Sequence, residues 1–215
     1  MTPHGALVVS VSGTSGSGKS TLVRGLAASL GATAHRSVGA MFFDDYAAVS
    51  DLPENDLHGW LARGGDPDEW RTDRLAADLG ALRHGESVPA LDGSSTCGPF
   101  DVVVLEEPFG RSRKAMAPMI DLALHVDLPL QLALARRLRR DFVPNDGEVP
   151  ADRADLLRAY LAMYLDIGGA VYEFVDRLAR DSTDVVLDGL TGREDLLTAA
   201  LAEVASAQAR RHERD

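Results

Sequence analysis

The chain has 215 residues, a length that suits one domain, and its 45% hydrophobic and 26% charged residues are ordinary for a globular protein. This composition argues against a disordered, collagen-like or coiled-coil chain, and no apolar run approaches the roughly 18 residues of a membrane helix. The formal net charge of −11 disfavours a general affinity for nucleic acid or for anionic membranes.

In the first half of the chain, strand and helix patterns alternate. The N-terminal segment lacks the charged region and the cleavage site of a signal peptide, and Cys97 is the only cysteine, so we expect a cytoplasmic protein without disulfides or a cysteine-based zinc site. The predicted elements are a Val-rich strand at Leu7–Val11, a helix at Lys19–Leu30, a strand at Val38–Phe43, and helices at Pro53–Arg63 and Pro67–Arg83.

The second half of the chain repeats this alternation after a turn-rich stretch at residues 85–101. The predicted strands are Val102–Leu105, Leu122–Val126 and Val185–Leu187. The predicted helices are Leu130–Phe142, Asp152–Arg180 with an interruption at Gly168–Gly169, and Glu194–Arg211, with a loop at 143–150. Alternating strands and helices predict a mostly parallel sheet covered on both faces.

Residues 13–20, GTSGSGKS, match the phosphate-binding loop G-x-x-x-x-G-K-[ST] in full. Its glycines let backbone N–H groups turn toward phosphate oxygens, and the next helix adds its positive N-terminal end. We expect Lys19 on the β- and γ-phosphates and the Ser20 hydroxyl on Mg²⁺. The predicted nucleotide-binding residues are Gly13, Thr14, Ser15, Gly16, Ser17, Gly18, Lys19, Ser20, Thr21 and Arg136.

The loop by itself indicates a nucleoside triphosphate but no particular reaction, since GTPases, ATPases and small-molecule kinases share it. GTPases usually carry an N-K-x-D segment, and neither of the two lysines, Lys19 and Lys114, lies in one. The length and the early loop favour a small-molecule kinase.

Carboxylates follow two of the predicted strands. At the end of the second strand, Asp44 or Asp45 suits a general base for a hydroxyl acceptor, although an Asx turn after the strand would use the same residues. Glu106 ends the apolar run VVVLE in the manner of a Walker B strand and would hold Mg²⁺ directly or through water, with a merely buried strand as the alternative. Glu107 is expected to point the opposite way.

Four arginines crowd little more than one turn of the helix predicted at Leu130–Phe142: Arg136, Arg137, Arg139 and Arg140. Such a cluster could hold the phosphate charge that develops during transfer. Taken alone, it is also typical of a solvated basic face paired with acids such as Asp141.

These motifs together resemble the uridine kinase and nicotinamide riboside kinase group of P-loop kinases from about residue 7 to residue 190. The matching segments are GTSGSGKST at the phosphate loop, FDDY at residues 43–46, DPDEW at 66–70, PALD at 89–92, VVVLEE at 102–107, HVD at 125–127 with RRLRRD at 136–141, YEF at 172–174 and TDVVL at 183–187.

The resemblance implies a nucleoside-monophosphate-kinase-like α/β fold: one domain over 1–215, with a five-stranded parallel sheet, helices on both faces and a helical lid at about 136–153. It implies ATP and Mg²⁺ as cofactors, Asp44 as the general base and Arg137 and Arg140 as lid arginines acting with Lys19. The segment after Leu187 would border the adenine. Residues expected at the acceptor are Phe43, Asp45, Tyr46 and Asp92.

Some positions depart from the group's pattern, mostly near the acceptor. Leu91 replaces a tyrosine, only eight residues separate Asp92 from Asp101, Ala133 replaces an arginine, and Pro-Phe-Gly-Arg at 108–111 replaces an apolar stretch. The leading prediction is therefore a kinase for a hydroxyl of a nucleoside or nucleoside-like molecule. A related kinase for a non-nucleoside alcohol (pantothenate, a sugar or a natural product) and a non-catalytic ATP-binding regulator stay open. The expected partner is a small-molecule acceptor, without nucleic acid or membrane, and a homodimer is left open.

Overall fold

A computed structural model describes residues 5–33, 36–47, 53–143 and 151–213. The strands in these ranges are β1 (Leu7–Ser12), β2 (Val38–Phe42), β3 (Val88–Pro89), β4 (Thr96–Cys97), β5 (Val102–Glu106), β6 (Leu122–Asp127) and β7 (Val185–Asp188). Five of them form one parallel sheet in the order β2-β5-β1-β6-β7, while β3 and β4 pair as a short antiparallel hairpin.

The helices cover both faces of this sheet. They are α1 (Lys19–Thr33), α2 (Phe43–Ala47), α3 (Leu57–Ala62), α4 (Asp73–Arg83), α5 (Leu130–Phe142), α6 (Ala151–Met163), α7 (Gly169–Asp181) and α8 (Arg193–His212). A π-helical turn, Tyr164–Gly168, joins α6 to α7. No helix in the described ranges has both the length and the apolar character needed to cross a bilayer.

Burial on both faces explains the continuous apolar strands. Leu7, Val9 and Val11 of β1 belong to a core with α1 and α8, whereas Val8, between Leu7 and Val9, belongs to a second core with α2 and α4. Neighbouring side chains of a strand point to opposite faces, so a strand covered on both sides has no polar face. The predicted α/β fold of a P-loop kinase, with a five-stranded parallel sheet, is confirmed.

Three predicted elements differ from those in the structure. β2 stops at Phe42 and Phe43 begins α2, so Asp44 and Asp45 lie in a helical turn and not at a strand end. The helix predicted at Pro67–Arg83 is broken between the 3₁₀ turn Pro67–Glu69 and α4, because the Trp70 carbonyl and the Thr72 hydroxyl accept hydrogen bonds from the buried Arg113.

The third difference concerns Gly168–Gly169, where an interruption of the helix was predicted. Gly168 and Gly169 both have helical φ values, −58° and −57°, and the irregularity is the π-helical turn Tyr164–Gly168, which ends at Gly168. The lid predicted at 136–153 spans the end of α5 and the start of α6, and residues 144–150 of it lie outside the described ranges.

Candidate active site

The phosphate-binding loop connects β1 to α1 and packs against the C-terminal end of β6 and against helix α5. A Cβ on Gly13 would come within 2.8 Å of the Val126 carbonyl oxygen, and one on Gly16 within 2.2 Å of the Ala133 carbonyl oxygen. Both glycines have positive φ, 139° and 95°, so an L side chain is excluded by backbone conformation as well as by space. The smallness of the loop residues is therefore what allows α5, which carries the clustered arginines, to pack this closely.

A cavity of about 300 Å³ opens beside this loop. It brings together four residues that the sequence predicted to be catalytic: Lys19, Asp44, Arg137 and Arg140. Its other lining residues are Gly13, Thr14, Ser15, Phe43, Trp70, Pro108, Phe109, Val171, Tyr172, Val175 and Asp176. The cavity thus joins a charged, phosphate-loop end to an aromatic end.

Lys19 forms an ion pair with Glu106 at the charged end. The distance from Lys19 Nζ to Glu106 Oε1 is 3.0 Å, and the Glu106 side chain, at the end of β5, is only 2% exposed. The pair places the Glu106 carboxylate, which the sequence predicts to be the Walker B acid, beside the lysine of the phosphate loop. Glu106 and the Ser20 hydroxyl, in the first turn of α1, supply the hard oxygen donors that suit Mg²⁺.

Aromatic rings hold the Arg137 guanidinium. Its Cζ lies 4.9 Å from the ring centre of Tyr160 and 5.0 Å from that of Tyr172. The Arg137 Nε lies 3.6 Å from Asp141 Oδ2, whereas the buried Nη1 has no hydrogen-bond partner within the described part of the chain. An oriented and unsatisfied donor of this kind fits a ligand that brings anionic oxygens into the cavity.

Arg140 is oriented by Asp141, with 2.6 Å between Nε and Oδ1. The hydrogen-bonded Asp141 is the main cause of a raised pKa at Arg140, and the charges of Asp44 and Glu106 add to it. Arg140 is therefore within electrostatic reach of both acidic groups predicted for the site.

The aromatic end of the cavity rests on a buried ion pair. Glu107 is fully buried and bonds to Arg113, with 3.1 Å between Nε and Oε1. Burial raises the pKa of the Glu107 carboxyl, and the Arg113 guanidinium opposes that shift. The same guanidinium lies 5.2 Å from the ring centre of Phe43 and 5.8 Å from that of Phe109, so it supports two walls of the cavity.

Three of the four residues predicted at the acceptor do not line the cavity. Tyr46 is buried in the core, where its hydroxyl donates to Asp78 Oδ2 at 3.1 Å and burial raises its pKa. Asp92 is exposed in the β3–β4 turn and accepts hydrogen bonds from the amide and hydroxyl of Ser94, at 2.9 and 2.7 Å. Asp45 is exposed and is not among the residues that line the cavity, whereas Phe43 is.

A second cavity, of about 240 Å³, lies on the other side of the phosphate loop. Of the remaining predicted nucleotide-binding residues, Ser17, Gly18, Thr21 and Arg136 line it, together with residues that follow β7, among them Gly189 and Thr191, whereas Gly16 and Ser20 line neither cavity. This is the segment after Leu187 that the family resemblance places beside the adenine.

Sequence reasoning did not single out several lining residues. Trp70 and Phe109 were inside segments already noted, DPDEW and Pro-Phe-Gly-Arg, but nothing in those patterns indicated a cavity wall. Val171, Val175 and Asp176 of α7 are far from the phosphate loop in the sequence, and spacing along the chain carries no signal for such a contact.

Comparison with known proteins gives distant relatives of one kind. No family model matches the chain. A uridine kinase of Staphylococcus epidermidis is 24% identical over 213 residues, covering 93% of this chain and 97% of the relative. A uridine kinase of Halobacterium salinarum is 23% identical over 195 residues, covering 86% of this chain and 81% of the relative.

Among solved structures, a proposed fructose transport system kinase from Silicibacter sp. TM1040 aligns with a TM-score of 0.48 and 22% identity, covering 85% of this chain and 89% of that one. The two uridine kinases therefore match this chain over most of its length. They confirm the predicted resemblance of this chain to the uridine kinase-like group of P-loop kinases.

Proposed function

We propose that the protein is an ATP-dependent kinase that transfers the γ-phosphoryl group to a hydroxyl of a nucleoside or nucleoside-like small molecule. The observation that carries the proposal is that Asp44, Lys19, Arg137 and Arg140 line one cavity beside a complete phosphate-binding loop. These residues come from three separate elements, α1, α2 and α5, and a protein that only bound nucleotide would not need a carboxylate at this place.

The nucleotide occupies the loop with its base toward the second cavity and its terminal phosphate toward Asp44. Lys19 leaves Glu106 and binds the phosphates, because a polyanion offers it more negative charge than one carboxylate does. Glu106 and Ser20 are the residues that would hold Mg²⁺, which neutralises phosphate charge when bound.

Asp44 acts as the general base. It is exposed to the cavity, and its carboxylate accepts the hydrogen bond of the acceptor hydroxyl and then its proton as the new O–P bond forms. Arg137 and Arg140 stabilise the negative charge on the transferring group, with Arg137 oriented by its two tyrosine rings.

The aromatic end receives the acceptor. Phe43, Trp70 and Phe109 form adjoining walls, with ring centres of Phe43 and Phe109 6.2 Å apart and those of Trp70 and Phe109 5.7 Å apart. Flat aromatic surfaces suit a planar base, and the curated relatives are named uridine kinases, so a nucleoside is the acceptor class that we propose. The cytoplasmic location and the homodimer stay predictions.

ATP consumption with a panel of acceptors tests the proposal. The panel contains uridine and other nucleosides, nicotinamide riboside, pantothenate and sugars, and mass spectrometry identifies the phosphorylated product. We expect a monophosphate of a nucleoside or nucleoside-like molecule. A phosphorylated sugar or pantothenate would contradict the acceptor class alone, whereas the absence of any phosphorylated product together with tight ATP binding would contradict the kinase.

A further inference from the structure

A buried histidine lies directly behind the phosphate-binding loop. His125, on β6, has no exposed surface, and its Nδ1 is 3.1 Å from the Ser12 hydroxyl oxygen. That hydroxyl donates its hydrogen to the Leu124 carbonyl, also at 3.1 Å. Since a hydroxyl has one hydrogen, Nδ1 must carry the ring proton and donate it to Ser12. In the neutral ring, Nε2 is therefore left as an acceptor.

This Nε2 atom faces a second acceptor. It lies 3.5 Å from Oδ1 of Asp176 on α7, and neither buried atom has a hydrogen-bond partner in the described ranges. Two buried acceptors that face each other are unfavourable unless a hydrogen or a cation lies between them. Asp176 also lines the main cavity, and the backbone amide of Thr14 is close enough to its carboxylate to lower its pKa.

The neighbouring charges favour a proton over a metal ion. Ligand atoms of His125, Asp127 and Asp176 lie within 4.8 Å of one another, a spacing that a metal could use. Asp127 is already paired with Arg180 of α7, with 2.8 Å between Nη1 and Oδ2, which adds a positive charge to the cluster. Lys19 of α1 and Arg137 of α5 line the same cavity as Asp176.

We propose that His125 and Asp176 share one proton, and that Asp176 in this pair is a positioning residue that holds the Thr14 end of the phosphate-binding loop. His125 lies in the HVD segment of the family resemblance, which assigns it no role, and the role of the pair is to fix the loop, not to contact the reacting atoms. Its part in nucleotide binding rests on the proposed function, whereas the shared proton does not.

Burial accounts for where the proton resides. It lowers the pKa of His125 to about 4 and raises the pKa of Asp176 to about 6, in the latter case with help from the Asp127 charge. In the unfolded chain the imidazole is the more basic of the two groups, so folding moves the proton from His125 to Asp176. Between about pH 4 and 6 the folded pair then holds one titratable proton, in addition to the ring proton on Nδ1.

The pH dependence of unfolding tests the shared proton without any ligand. The lowered pKa of His125 removes stability as the pH falls, and the raised pKa of Asp176 adds stability as the pH falls from about 6, so in the wild type the two effects oppose each other. Asp176→Asn keeps only the first effect, so its melting temperature should fall relative to wild type between pH 7 and 4.5. His125→Phe keeps only the second effect, so its melting temperature should rise relative to that of the wild type over the same pH range.

Identical pH dependence in all three proteins would overturn the proposal. Asp176→Asn retains a carbonyl for Thr14 and an NH₂ group for Nε2, so it is the variant expected to fold, and ¹⁵N NMR of its labelled histidines should show Nδ1–H at His125. Protonated Nε2 in the neutral ring would contradict the pairing even if His125→Phe does not fold. Stabilisation of the wild type but not of Asp176→Asn by Zn²⁺ or Mn²⁺ would assign the site to a metal instead.

Calorimetry with MgADP tests the link to the loop. A bound polyanion beside Asp176 raises its pKa further, so binding at pH 7.5 should take up a fraction of a proton, measured from the heats in two buffers of different ionisation enthalpy. Asp176→Asn should bind without that uptake. Equal uptake in both proteins would contradict the positioning role, whereas no binding by either would contradict the proposed function and leave the unfolding experiments to decide the proton.

Discussion

The two ends of the main cavity are built in different ways. At the phosphate end, the loop at 13–18 and the Lys19 and Ser20 that follow it are consecutive in the sequence, and the backbone itself supplies most of the binding groups. At the acceptor end, the walls come from α2, the turn at Trp70, the segment after β5 and helix α7. One end is a local structure, and the other exists only because distant segments pack together.

This difference matches where the chain departs from the uridine kinase pattern. The phosphate loop, the carboxylate at 106 and the RRLRRD segment keep the pattern, while the PALD hairpin and the residues after Glu107 depart from it. Of the second group, Pro108 and Phe109 line the cavity at its acceptor end, whereas Asp92 in the short hairpin lies outside it. Changes at the two ends should therefore have separable effects on catalysis and on acceptor affinity.

The largest effect is expected at Asp44, where the two ends meet. Asp44→Asn removes the proposed general base, so kcat should fall by about 10²–10⁴ while nucleotide still binds. Steady-state kinetics and calorimetry with ATP measure the two quantities. Asp45→Asn, its exposed neighbour in the same helical turn, is the matched control and should keep kcat. If Asp44→Asn lowered the melting temperature but kept a normal kcat, Asp44 would only stabilise the helical turn and would not be the general base.

Lys19→Ala should lower kcat by about 10²–10³, because it removes one charge that stabilises the transferring group. The chain offers a close control in Lys114, the other lysine, which is 85% exposed and pairs with Asp68 at 2.8 Å. Lys114→Ala should leave turnover unchanged in the same assay. Near-normal kcat in Lys19→Ala would mean that the loop is not the catalytic phosphate site.

At the acceptor end, Arg113→Leu should destabilise the protein by about 3–5 kcal/mol, because it leaves the Glu107 carboxylate buried without its partner. Denaturant unfolding measures the loss. Arg71→Leu is the control, since Arg71 forms an ion pair with Asp73 that is about 70% exposed on both sides and should contribute little. Similar losses of unfolding free energy in the two variants would show that the buried Glu107 pair stabilises the protein no more than an exposed pair does.

Trp70→Leu should affect acceptor binding more than chemistry. Losing one aromatic wall is worth about 1.4 kcal/mol, which corresponds to a KM for the acceptor raised about tenfold, with kcat and the KM for ATP little changed. Initial rates with each substrate varied in turn separate the three constants. A rise in the KM for ATP alone would place Trp70 at the nucleotide instead.

The smallest effect is expected at Asp92. Its carboxylate is occupied by the amide and hydroxyl of Ser94, so Asp92→Asn should change the acceptor KM by less than about twofold, as expected for a loop side chain away from the cavity. A large rise in that KM would restore Asp92 to the acceptor site, where the family resemblance puts it.

A feature can be predicted from the sequence when neighbouring residues define it. The alternating strands and the loop GTSGSGKS gave the parallel sheet and the nucleotide end, since each is defined by neighbouring residues. The prediction that Asp44 and Asp45 lie at the end of a strand was wrong, because β2 ends at Phe42 and both residues lie in α2. Asp44 nevertheless lines the cavity, where the family resemblance put it.

By itself, the sequence determined the α/β class, the phosphate-binding loop and the acidic residue at the end of β5, because backbone conformation and hydrophobic periodicity encode them over short spans. Only the tertiary structure decided that Arg113 pairs with Glu107, that Tyr160 and Tyr172 hold Arg137, and that His125 meets Asp176. These contacts join residues on different elements, and which side chains face one another there depends on how the helices pack on the sheet.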